Sequence, residues 1–157
     1  MPAEPSEHRT TPLTSGQDPL ADDPVLDTAV LSGLQQLSEL AGTDLLSSVV
    51  GIFRRESAAH LAVLERTVDD SPAAADPPTA DASLAADDDP AGRALHQLRG
   101  SAGNLGARRV ARTAGELEQL TETGERVGRL GVRRLAVELA TALQELDRVA
   151  AEGSRAH

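Results

Sequence analysis

Residues 96–106 read HQLRGSAGNLG. His96 has one arginine three residues before it, Arg93, and another three residues after it, Arg99. On a helix these groups share one ridge, and Gly100 and Gly103 continue it. A neutral imidazole can act as a nucleophile near pH 7. A guanidinium beside it would neutralise the charge of an arriving phosphoryl group. Glycine inside a helix costs about 1 kcal/mol relative to alanine. The stretch nonetheless places glycine at 100, 103 and 106. A ridge stripped of side chains admits something large, and a flat exposed ridge makes no pocket, so the expected visitor is another protein.

Two other readings compete for the same residues. An ordinary surface histidine before a helix C-terminus is the commonest case for a histidine on a helix, and spacing alone leaves it open. A phosphate-cradling loop made from GSAGNLG lacks the dinucleotide glycine spacing, lacks the Lys-Ser/Thr of a P-loop and follows no strand.

The elements that must carry His96 are helical throughout. Residues 28–41 place Val30, Leu34 and Leu37 at helical spacing, with Asp27 as N-cap and Gly42 as the stop. Residues 43–68 form a longer helix with Leu46, Val49, Val50, Phe53, Leu61, Leu64 and Val68 on one stripe. Asp89 followed by Pro90 marks the start of the histidine helix. There Leu95, Leu98 and Ala102 point to the core until a glycine-rich break at 103–106. A further helix over 107–123 turns Val110, Ala114, Leu117 and Leu120 inward. The last helix repeats Val132, Leu135, Leu139, Leu143, Leu146 and Val149. Nothing alternates with period two. The expected fold is all-α, an antiparallel up-down four-helix bundle with an additional short N-terminal helix.

Composition fits this plan and narrows the partners. Phe53 is the only aromatic residue in 157, so the core is aliphatic. There is no cysteine, which excludes disulfides and thiolate metal sites. All 15 basic residues are arginine, consistent with a compositional bias. The formal charge of −10 is unevenly spread. Residues 1–27 hold six acids and one arginine, and residues 69–90 hold seven Asp and no base. Residues 1–24 read as a disordered arm, 25–152 as the folded domain, 69–89 as a flexible acidic insertion within it and 153–157 as a tail. Asp87–Asp89 lack the alternating ligands, the glycine and the closing Glu of a calcium loop. The remainder of the chain is nearly neutral and offers no basic patch for nucleic acid. No apolar run approaches the length of a membrane span, so a cytoplasmic protein is expected.

HQLRGSAGNLGA resembles the signature of histidine-containing phosphotransfer (HPt) domains, His-x-Leu-Lys-Gly-Ser-(Ser/Ala)-x-x-Leu-Gly-Ala. The likeness extends to Leu34 in the first helix, Gly42 and Asp44 between helices, Phe53 in the second, and the Leu117–Glu118 pair. It covers roughly residues 25–68 and 90–150. The resemblance implies a phosphoryl carrier, with His96 as the acceptor at Nε2 and Arg99 where the family usually has Lys. Gly100 matches the glycine that leaves room for the docking partner. Arg93, Gln97 and Gly103 flank it on the docking face.

Glu118 matches a Glu or Gln that in several members bonds the other ring nitrogen. Independently, His96 and Glu118 lie about equally far from the turn near residue 105, so at ~1.5 Å per residue their heights agree within a helical turn. The implied partners are receiver domains of response regulators or a hybrid sensor kinase. The protein itself is implied to need no cofactor, since the receiver supplies Mg²⁺, and to have no kinase activity of its own. A monomer is expected. A rival is an interaction module that docks on a receiver or kinase without being phosphorylated.

His60 falls near the stripe of the second helix and is expected to be a partly buried packing residue. His8 and His157 sit in the expected tails. No Glu-x-x-His pair exists for a di-metal bundle site.

Overall fold

The computed structural model describes residues 23–70 and 89–155, all of whose regular elements are α-helices. They are α1 (Thr28–Ala41), α2 (Leu45–Asp69), α3 (Pro90–Asn104), α4 (Arg108–Glu122) and α5 (Arg129–Arg155). The readings of residues 1–22 as an arm and 71–88 as an insertion lie outside the described residues. Helix α5 runs to Arg155, into the stretch expected to be a tail.

Helices α2 to α5 form an antiparallel ring in which each packs on the next and α5 closes back onto α2, while α1 packs on α2. The centre is aliphatic. Leu95, Leu98 and Ala102 of α3 meet Val110 and Ala114 of α4 and Leu135 and Leu146 of α5, all fully buried. Phe53 adds the one aromatic ring of the core. Removing each large apolar side chain from water contributes about 1.5–3 kcal/mol. Helix α1 departs from the simple stripe. It buries Leu31 and half-buries Val30 and Leu34, but Leu37 is 54% exposed and Leu40 86%. A single helix lying on a closed ring touches it along a narrow strip, so its flanking positions stay in water.

The helix ends are set by local chemistry. Asp27 caps α1 by accepting from the Ala29 N–H at 2.9 Å, and Asp44 caps α2 through the Ser47 N–H at 3.0 Å. Asp89 caps α3 through the Ala91 N–H at 3.0 Å, and Pro90 takes the first helical position. Each leaves one fewer unpaired N–H at a helix start.

The turn from α3 to α4 falls within the glycine-rich break expected at 103–106. The helix continues through Gly103 to Asn104 and is ended at Gly106, where φ is +77°. The Ala107 N–H then donates to the Ala102 carbonyl at 2.8 Å, closing the helix in the left-handed manner glycine favours. A Cβ on Gly106 would lie 3.1 Å from the Cβ atoms of Asp27 and Val30, so the turn is also the seat of α1. The Asp27 N–H donates to the Gly106 carbonyl at 2.7 Å, and Arg108 Nη2 reaches Asp27 Oδ2 at 2.6 Å.

Candidate functional site

His96 projects from the exposed face of α3, opposite Leu95 and Leu98, with its side chain 68% exposed. The turn at Gly106 returns α4 antiparallel to α3 and brings Glu118 to it. His96 Nδ1 and Glu118 Oε1 are 2.7 Å apart. A carboxylate only accepts, so Nδ1 carries the proton and donates, and the Nε2 lone pair is left facing outward. Glu118 itself is buried, with its side chain 7% exposed. The equal heights expected of these two residues therefore become a direct contact.

The second oxygen of Glu118 has a partner that the sequence reading did not supply. Arg99 Nη1 lies 2.8 Å from Oε2, close enough for an ion pair, although the contact is not aligned as a hydrogen bond. The buried carboxylate is thus held between an imidazole N–H and a guanidinium, while Thr121 Oγ1 donates to the Glu118 backbone carbonyl at 2.8 Å. Arg99 remains half exposed, three residues along α3 from His96. The antiparallel register of α3 and α4 frames this contact. One turn along α3 from His96 is Arg99, and one turn back along α4 from Glu118 is Gly115. A Cβ on Gly115 would stand 3.2 Å from Arg99 Cδ. On the other side of His96, a Cβ on Gly92 would lie 3.1 Å from Thr121 Oγ1 and would collide with Asp89 Oδ2.

The remaining expected docking residues, Arg93, Gln97, Gly100 and Gly103, are all exposed on α3. A Cβ at Gly100 or Gly103 would meet nothing within 4 Å. No described neighbour in this chain demands glycine at either position. His60 is half-buried on α2, in keeping with a packing role.

A groove of about 580 Å³ opens elsewhere, between α1, the α1–α2 turn and the end of α5, lined by Gln35, Thr43, Leu46 and Ala150 among others. His96 is not part of it. Among the described residues no three His, Asp or Glu side chains gather as a metal site, and no helix is long and apolar enough to cross a membrane.

An outward imidazole on a helical bundle, braced from behind and apart from the groove at the end of α5, suits a module that acts on another protein's surface rather than on an enclosed small molecule. The chain belongs to the Hpt domain family, whose model matches residues 48–152. The matched span begins inside α2 and ends in α5, so α1 lies outside it. No match was found among curated proteins or among solved structures. Membership implies a phosphotransfer role in a phosphorelay, as a phosphoryl carrier and not a kinase, and interaction with receiver domains or kinases.

Proposed function

We propose that this protein carries a phosphoryl group on His96 Nε2 between receiver-domain aspartates. The observation that carries this reading is the His96–Glu118 contact at 2.7 Å, which holds the proton on Nδ1 and leaves Nε2 free on an open surface. In the transfer, the Nε2 lone pair forms a bond to phosphorus as the bond to the aspartyl oxygen breaks. The electron pair of that bond stays with the receiver's carboxylate. The Nδ1 proton stays in place, and the positive charge that develops on the ring faces Glu118. Arg99, on the same ridge, offsets the negative charge of the transferring group. The contribution of this chain is a nucleophile, its orientation and one cation. Any divalent ion the reaction needs belongs to the receiver's side.

The docking face proposed around His96 comprises Arg93, Gln97, Gly100 and Gly103. Glycine at 100 and 103 without an internal steric reason is what a close-approaching partner would require.

The test is incubation with a phosphorylated receiver, followed by assay for acid-labile, base-stable phosphate on this chain. Wild type should be labelled and His96→Gln should not. An unlabelled wild type, or undiminished label on His96→Gln, overturns the reading.

A further inference from the structure

We propose that Gly115 is a positioning residue of the histidine site: its missing side chain is the seat across which the Arg99 stem lies on its way to Glu118. The activity part of this proposal rests on the carrier reading of His96, whereas its structural part does not.

Three observations converge. Gly115 sits inside α4, a helix with strong amphipathic patterning and no turn at that point, so backbone geometry does not call for glycine there. Among the described residues, and apart from its own chain neighbours and the nearby backbone of α4, the one atom a Cβ at 115 would meet within 4 Å is Arg99 Cδ, at 3.2 Å. Arg99 in turn is the only cation paired with the buried Glu118 Oε2 among the described residues, at 2.8 Å. The antiparallel register makes the coupling unavoidable, since the same alignment that sets Glu118 against His96 sets residue 115 against Arg99. A side chain at 115 would displace the stem and lift the guanidinium away from the carboxylate. Glu118 would then be left with the imidazole alone, and the cation would be moved relative to Nε2. The α4 surface, not the histidine ridge, thus fixes where the cation of the site stands.

Gly115→Ala and Gly115→Leu test this in the full chain. An alanine Cβ asks Arg99 to give by a few tenths of an ångström, while leucine fills the path. In the unphosphorylated protein, the ¹⁵N signals of the His96 ring and of the Arg99 side chain should move in Gly115→Leu, and less in Gly115→Ala. The melting temperature should stay the same or rise, because both residues are better helix formers than glycine. The rate of phosphoryl acceptance should fall about tenfold in Gly115→Leu, below the ~10²-fold that an ångström-scale misplacement can cost. In an Arg99→Ala background, Gly115→Leu should change neither the ring signals nor the rate.

Unmoved His96 and Arg99 signals in Gly115→Leu would overturn the proposal. So would a loss of rate that persists when Arg99 is absent, or one that follows a fall in melting temperature. If wild type accepts no phosphoryl group, the carrier reading fails by itself, and the resting-state signals alone decide the role of Gly115.

Discussion

Glu118 is the residue on which the site turns, because its two oxygens serve two different partners. One oxygen meets the imidazole Nδ1, and the other faces the guanidinium of Arg99. Replacing Glu118 with alanine removes both functions and leaves the ring free to rotate. The rate of phosphoryl acceptance should then fall about 10–100-fold, by analogy with the loss of a carboxylate behind a metal-ligating histidine. Glu118→Gln keeps an acceptor for Nδ1–H and should lose less, as single-turnover labelling by a phosphorylated receiver would show. His96, Arg99 and Glu118 were each singled out in the sequence, and the structure brings their side chains together. The Arg99–Glu118 contact was not legible there, because helical spacing assigns a side chain to a ridge but does not choose its rotamer. A long flexible arginine on the ridge can bend back over a neighbouring helix, and does so here where Gly115 leaves room.

At the scale of elements, the turn between α3 and α4 does two jobs. Gly106 ends α3 and receives the start of α1. Replacing it with alanine forces a side chain into the left-handed region, at about 1–2 kcal/mol, before any contact with Asp27 or Val30 is counted. Urea unfolding should show at least that loss.

Asp27 connects the same parts. Arg108 hydrogen-bonded to its carboxylate, and secondarily the Ala29 N–H, hold its carboxyl below the usual carboxylate range. A carboxyl whose folded pKa is lowered stabilises the fold fully above its unfolded pKa, and that stabilisation is lost as pH falls through the folded value. Asn is an equally good N-cap, so Asp27→Asn isolates the Arg108 pair. Its stability deficit at neutral pH should shrink as the pH is lowered through the carboxylate range, and a deficit independent of pH would contradict this account. The caps at Asp27, Asp44 and Asp89 follow from local sequence. The second use of Asp27, as a clamp between α1 and the α3–α4 turn, joins residues 81 positions apart and has no local signature.

Across the whole molecule, function depends on keeping α3 and α4 in register, and the aliphatic centre does this. Leu98 is fully buried directly beneath the histidine face. Leu98→Ala should destabilise the fold by about 2–5 kcal/mol in urea titration, with the sharpness of the transition reporting whether the bundle still unfolds as one unit. The acidic stretch 71–88 offers a contrast. Exchanging it for a neutral Gly-Ser segment of equal length should leave both melting temperature and acceptance rate unchanged. A slower transfer would show that its charge takes part in docking. Polar groups inside the bundle were not foreseen. Ser57, Thr113 and Glu138 are buried, and Arg109 Nη2 meets Glu138 Oε1 at 2.8 Å between α4 and α5. An Arg and a Glu on facing helices look like solvated surface until the packing angle of those helices is known.

The sequence by itself determined the helical class, the N-caps Asp27 and Asp89, the stop at Gly42, the core face of each ring helix and the identity of the outward histidine. All of these follow from interactions within a few residues or from periodicity. It also brought His96 and Glu118 to equal height, because two antiparallel helices joined by a short turn allow little else. Only the tertiary structure decided that α1 leaves Leu37 and Leu40 in water, that Gly106 and not Gly103 makes the turn, and that Arg99 lies over Gly115 to share the Glu118 carboxylate. Each of those depends on which atoms of distant segments come within a few ångströms of one another. Periodicity fixes faces and heights, but such distances are set by the packing of the whole bundle.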